Sequence, residues 1–338
     1  MENAKIDIAV LIIFFSREVQ LKKVFEQVKM ARPSKLYLYQ DGARIARKDD
    51  EEGIKRCRDI VSDENIDWEC EVHRLYQDKN YGCDPSEFIA QKWMFETEEM
   101  GIILEDDDVP SQSFFPFCKE LLEYYKDDER INMICGMNNT GVTTHIDSSY
   151  LFTVKGSIWG WASWKRVLDT WDAKYTWLDD EQMLNKIKSQ MTKSEFKDYI
   201  KTAKMHKASG REHYESINAA SMYLYDRMNI VPKYNMISNV GISQESTHNV
   251  SDIRLLPKRT QDLLYMKTYE IDFPLIHPKE YKRDYLFEKQ MKIKKIQQIC
   301  GKIEYYARVI RYKGFKESCI LIKKKIIRTK KCKTNRFY

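Results

Sequence analysis

The chain lacks any apolar run long enough to span a bilayer, which takes roughly 18 to 20 residues. An early apolar run, Ile8 to Phe15, is far shorter. Asp7 stands directly before it, no strongly basic stretch precedes it, and no small-residue cleavage site follows. It reads as a buried strand and not as a secretion signal. Phosphate-binding glycine loops are also missing. Neither GxxxxGK[ST] nor GxGxxG occurs, so P-loop and dinucleotide-binding readings lack their motif. None of the eight cysteines has CxxC spacing, which leaves zinc and thioredoxin-like readings without support. Without a secretion signal, free thiols in a reducing cytosol are the expectation. No repeat of 20–50 residues is visible.

What is present suits a globular enzyme-sized protein. The 338 residues are 43% hydrophobic and 12% aromatic, enough to bury a real core. Charge is uneven. Residues 291–338 hold sixteen Lys and Arg against two Glu, a net of +14, so a chain total of +6 leaves the first 290 residues at −8. An acidic body therefore carries a basic tail.

IDIAVLIIFF (6–15) is the near-continuous apolar run of a strand buried on both faces. Leu21, Val24, Phe25 and Val28 follow at helical spacing, and SKLYLYQDG (34–42) reads as a second strand closing on an Asp-Gly turn. That β-α-β order predicts a parallel sheet. A charged helix (48–63), a strand around 68–76, and the loop DKNYGCDPSE leading into a helix come next. Then GIILEDDDVP (101–110) runs a strand straight into four carboxylates. After about residue 140 the pattern becomes mixed α and β, with aromatic-dense SIWGWASWKRVLDTW (157–171) and a helix over REHYESINAASMYLYDRM.

Carboxylates beside a core are costly unless something positive neutralises them. The acidic run sits at a strand's carboxyl end, where open α/β sheets bind ligands. Arg17 and Asp41 fall at such ends too. Hard cations take oxygen ligands, commonly one or two carboxylates with substrate phosphate and water. The residues thus predict a metal-dependent enzyme acting on a nucleotide diphosphate.

An apolar strand, Glu-Asp-Asp, a short loop and an aromatic helix resemble the GT-A glycosyltransferases, and the acidic triplet is similar to that of N-acetylglucosaminyltransferase I. FFSREVQLKKVF, KLYLYQDGAR, the DKNYGC loop, GIILEDDDVPSQSFF, SIWGWASWKR and IVPKYNMISNVG…THN together resemble bacterial haemolytic-protein-like nucleotide-diphospho-sugar transferases, in family order over about residues 6–250. The resemblance implies a GT-A, Rossmann-like α/β fold with a mixed, mostly parallel sheet flanked by helices. It also implies a glycosyltransferase dependent on Mn²⁺ or Mg²⁺, inverting, with UDP favoured as the donor nucleotide. Asp107 matches the metal-binding acid, with Asp108 an extra acid beside it. Glu105 and Asp106 match residues facing ribose and donor sugar, and Arg17, Asp41 and Asn80 belong to the nucleotide-sugar side. His248 lies in the position of a late histidine that completes the metal or diphosphate site in many such enzymes.

An inverting transfer also needs a carboxylate base for the acceptor hydroxyl. REHYES offers Glu215 and Glu212. Glu215 falls where the bacterial group has its Asp, and Glu212 is the alternative. Trp159, Gly160 and Trp161 are assigned to the sugar site, Trp164 to the core. The expected division is a catalytic domain over 1–275, with a nucleotide half to about 140 and an acceptor half beyond it, then a tail over 276–338. In that tail Ile293, Ile296, Cys300, Ile303, Ala307 and Ile310 form a stripe at 3-4 spacing among basic residues, the pattern of a surface-binding amphipathic helix. The expected setting is cytoplasmic, peripheral on the inner membrane face, with a nucleotide sugar donor and a glycan or lipid-linked saccharide acceptor. No nucleic-acid recognition motif occurs. Two rival functions remain: a sugar nucleotidyltransferase, which lacks its glycine-rich loop here, and a non-catalytic sugar- or lipid-binding protein.

Overall fold

The apolar run near the start forms the central strand β1 (Ile6–Phe14), buried on both faces from Ile8 onward. Burying each such aliphatic side chain stabilises the fold by about 1.5–3 kcal/mol. These features come from a computed structural model, which describes residues 2–242, 252–292, 297, 300–312 and 314. Helix α1 (Glu18–Ala31) packs Leu21, Val24, Phe25 and Val28 inward, then ends at Arg32 in left-handed conformation. Strand β2 (Pro33–Gln40) follows and runs parallel to β1. Next come α2 (Lys48–Ile60), β3 (Glu71–Tyr76), α3 (Cys83–Met94) and β4 (Met100–Glu105).

After a short strand β5 (Asp108–Pro110), the chain continues through α4 (Phe114–Tyr124), β6 (Ile131–Cys135), β7 (Tyr150–Thr153) and β8 (Trp161–Trp164). Then follow α5 (Lys165–Leu168), α6 (Glu181–Ser189), α7 (Lys193–Ser209), α8 (Tyr214–Leu224), β9 (Met228–Pro232) and β10 (Ile237–Asn239). Two short helices, α9 (Lys258–Leu263) and α10 (Tyr285–Met291), complete the named elements.

Eight strands form one sheet in the order β3-β2-β1-β4-β8-β6-β9-β7. Pairing is parallel through β3, β2, β1 and β4 and again between β6 and β9, while β8 runs antiparallel to both β4 and β6. The chain is thus α/β with a mixed sheet flanked by helices, as expected. From β1 the chain steps outward to β2 and β3, then returns to place β4 on the other side of β1. That reversal makes a switch point, and open α/β sheets bind ligands in the crevice beyond such strand ends. Ile13 pairs with Glu105, so the residues leaving β1 and β4 emerge level with each other.

Contacts divide the described residues into two units, 2–240 with Met266–Met291, and those of Gly241–Tyr265 with those after Met291. The boundary expected near residue 275 therefore falls inside the first unit. There the reason is buried polar pairing: Glu288, 8% exposed, accepts from Thr153 Oγ1 at 2.8 Å, Val154 N at 3.1 Å and the Arg283 guanidinium at 2.7–2.8 Å. In the second unit, residues 300–312 are helical, and Glu304 accepts from Lys258 N at 3.0 Å. The rest of the expected tail helix lies largely outside the described residues. Among the described residues no helix is long and apolar enough to cross a membrane, and the six cysteines are free.

Candidate functional site

The acidic end of β4 meets Arg17, which leaves the end of β1. The Arg17 guanidinium pairs with both oxygens of Asp106, one through Nε at 3.3 Å, and reaches Asp107 Oδ2 through Nη1 at 2.7 Å. Phe15 N also donates to Asp106 at 3.4 Å. Asp106 and Asp107 are 3% and 7% exposed, so this pairing is what makes their burial tolerable. Burial raises the Asp106 carboxyl, and Arg17 pulls it back down. The guanidinium in turn holds its proton more tightly than usual: burial opposes the charge, but Asp106 and Asp107 outweigh it.

Asp108 is fully buried. Its Oδ2 accepts from Gly160 N at 2.8 Å and its Oδ1 from Asn239 Nδ2 at 3.1 Å. The same amide reaches Asp107 Oδ1 at 3.0 Å. The antiparallel pairing of β5 with β10 sets Asp108 opposite Asn239. Asp108 therefore acts as a tie between three chain segments. The Glu105 carboxyl accepts no hydrogen bond among the described residues, and burial with Glu87 and Asp108 nearby pushes it well above the ordinary range.

Asp41 is 6% exposed and closes the end of β2. Its Oδ1 accepts from Gly42 N at 3.0 Å and Tyr81 N at 2.9 Å, its Oδ2 from Asn80 Nδ2 at 2.8 Å and Gly82 N at 2.9 Å. Asp41 and Asn80 thus come together, with the aspartate organising the 80–82 loop. Gly42 has no alternative there: a Cβ would sit 2.6 Å from the Lys79 backbone. A cleft of about 310 Å³ opens beside this turn, lined by Ala43, Ile54, Lys55, Arg58 and Gln77. None of the 105–108 carboxylates lines it.

Helix α3 supplies a residue that sequence reasoning missed. DKNYGCDPSE was expected to be loop, but α3 starts at Cys83, with Pro85 in its first turn, where proline is tolerated. That start turns Glu87 inward, 7% exposed, with Cys83 Sγ donating to its Oε1 at 3.1 Å. Burial, with Glu215, Asp84 and Asp108 adding to it, pushes Glu87 up to about 8. Asn239 was missed as well. It stands in the quoted ISNVG stretch, and an amide at the end of the last strand was the available signal.

Glu215 lies in the first turn of α8 and is exposed at its surface, yet the protein around it desolvates the carboxyl enough to raise it. His213, just before α8, sets Nδ1 3.2 Å from Asp84 Oδ1 on α3 and stacks on His206 with ring centres 3.9 Å apart. Glu215 contributes to the raised carboxyl of Glu87, and Glu87 to that of Glu105. Glu212 is half-buried in the loop before α8.

Trp161 and Trp164 are 1% and 3% exposed. Trp161 stacks on buried Tyr214, with ring planes 9° apart, so it occupies the core, as Trp164 does, and not an open sugar face. Trp159 is half-buried. Gly160 is buried at φ +58, where a Cβ would meet Ile237 Cδ1 at 2.4 Å. His248 lies outside the described residues. Among the described residues, no group of three or more His, Cys, Asp or Glu is arranged to hold a metal.

No family model matches the chain, and no curated protein does. Solved structures similar to it include apo UDP-glucose pyrophosphorylase, at 9% identity and TM-score 0.35, covering 69% of this chain and 93% of that one. The same enzyme complexed with UDP-glucose gives 9% identity and 0.34, covering 68% and 92%. 4-Diphosphocytidyl-2C-methyl-D-erythritol synthase from Anaerococcus prevotii gives 11% and 0.27, covering 48% and 73%.

Proposed function

We propose that the chain is a glycosyltransferase moving a sugar from a nucleotide diphosphate sugar, with UDP favoured, to a glycan or lipid-linked saccharide. One observation carries this reading. Beyond the ends of β1 and β4, Arg17 meets the acidic run, and α8, which carries Glu215 in its first turn, is tied to the same region by Tyr214 stacked on Trp161 of β8 and by His213 beside Asp84 of α3. A candidate base on the helix packed against the sheet's switch point supports the reading.

The donor set around 105–107 is all oxygen, which fits a hard cation such as Mn²⁺ or Mg²⁺ held by one or two carboxylates. Asp107 and Glu105 would hold it. Asp108 lies beside them, its oxygens accepting from Gly160 N and Asn239 Nδ2 as those of Asp107 accept from Arg17 and Asn239. When bound, the cation neutralises charge on the leaving diphosphate. Arg17 then offers a second positive group to the same diphosphate. Glu215 takes the acceptor hydroxyl's proton as that oxygen attacks the anomeric carbon, whose bond to the nucleoside diphosphate breaks. Its raised carboxyl keeps it basic enough for that proton. Trp159 is the half-buried aromatic left to face the sugar, and Asp41 with Asn80 shapes the loop beside the nucleotide.

The test is transfer from a panel of nucleotide sugars to saccharide acceptors by the full chain and by Glu215→Gln. Loss of transfer by about 10²–10⁴-fold with donor binding retained supports the assignment. Release of pyrophosphate from a nucleoside triphosphate and a sugar 1-phosphate would instead identify a nucleotidyltransferase. Binding without turnover would identify a sugar-binding protein.

A further inference from the structure

The helix over 300–312 has two different faces. One is packed: Val309 is fully buried, and Arg308 pairs with Glu304 at 2.8 Å. The other face is bare. Ile303 is 64% exposed and Ile310 44%, and Cys300 and Ala307 are exposed with them. At about 100° per residue these four share a strip roughly 80° wide. Exposed Arg311 borders the strip on one side and exposed Lys302 lies on the other.

We infer that this strip docks on the surface of an anionic lipid bilayer. Apolar side chains exposed along a helix cost free energy in water unless a partner covers them. Charge selects the partner. Residues 291–338 carry a net +14, which disfavours a second copy of the same segment and favours an acidic surface. A nucleic acid would engage the Lys and Arg but leave the strip in water. At a bilayer interface the isoleucines enter the acyl boundary while Lys302 and Arg311 reach the phosphates. CILIKKKIIRTKKCK, later in the sequence, has the same mix of apolar and basic residues. The inference is independent of the proposed chemistry, since it concerns only where the chain sits.

The test is flotation of the full chain with vesicles of phosphatidylcholine alone or mixed with phosphatidylglycerol, at low and high salt. The wild type is expected to float with the anionic vesicles and to stay in solution with the neutral ones. Ile303→Asp combined with Ile310→Asp should weaken binding by at least about tenfold with an unchanged melting point, because both side chains are exposed. Replacing the same two residues with Trp should tighten it. Three results would overturn the inference. One is failure of the wild type to bind anionic vesicles at low salt. Another is unchanged binding in both double variants, which would mean charge alone suffices. The third is self-association in light scattering that the Asp variant abolishes, which would assign the strip to a second copy.

Discussion

Glu87→Gln removes one titrating carboxyl from the buried cluster while keeping the side chain's size. The structure sets the sign and size of the effect. Glu87 is pushed from an ordinary 4.5 to about 8, first by burial and then by Glu215, Asp84 and Asp108. An acid held protonated in the fold but ionised when unfolded contributes stability that is complete below about pH 4.5. That contribution is lost as pH rises through about 8. Roughly 3.5 decades of proton affinity at about 1.36 kcal/mol each give on the order of 5 kcal/mol in full, of which roughly 3–4 fall between pH 5 and 8. Urea unfolding of both proteins at a series of pH values reads this directly. Wild type should lose about that much relative to Glu87→Gln across the window, with the m-value unchanged. Because Glu87 and Glu105 interact, the difference reports the pair. Parallel stability curves would refute the reasoning, because they would mean Glu87 ionises in the fold at no cost.

Arg17→Met leaves Asp106 and Asp107 without their guanidinium, so denaturation should show a loss of about 3–5 kcal/mol, partly restored by adding Asp106→Asn. Asp41→Ala strands four donors, and the expected cost is about 2–4 kcal/mol, with new protease cleavage in the 79–82 loop. Gly160→Ala forces a Cβ into Ile237 at a left-handed position, and should destabilise by about 2–4 kcal/mol in thermal or urea unfolding.

The first half of the fold was legible because its signals are local. Ile8 to Phe14, the helical spacing of Leu21, Val24, Phe25 and Val28, and GIIL before the acids all appear as the elements they suggest. The meeting of Arg17 with the acidic run follows from two adjacent parallel strands ending at one level. Less visible were elements of three or four residues whose existence depends on distant partners. β5 and β10 form only as a pair, yet they decide that Asp108 is a tie. β8 inserts antiparallel between β4 and β6, which buries Trp161. An aromatic-rich stretch such as SIWGWASW reads alike as a sugar platform or a core strand until its neighbours are known. Glu87 was hidden by a helix that starts five residues earlier than the composition suggested.

The central claim is that the carboxylates at 105–107 hold a cation bridging a nucleotide diphosphate. Thermal stability titrated with nucleotide diphosphates and nucleotide sugars, with and without Mn²⁺, for wild type and Asp107→Ala, tests it most directly. A ligand that binds the native state raises the melting point by mass action, about 2.7 kcal/mol at a hundredfold excess over Kd. The account predicts that one nucleotide stabilises wild type only when metal is present, and leaves Asp107→Ala unmoved. Stabilisation that ignores the metal, or that survives in Asp107→Ala, would contradict it.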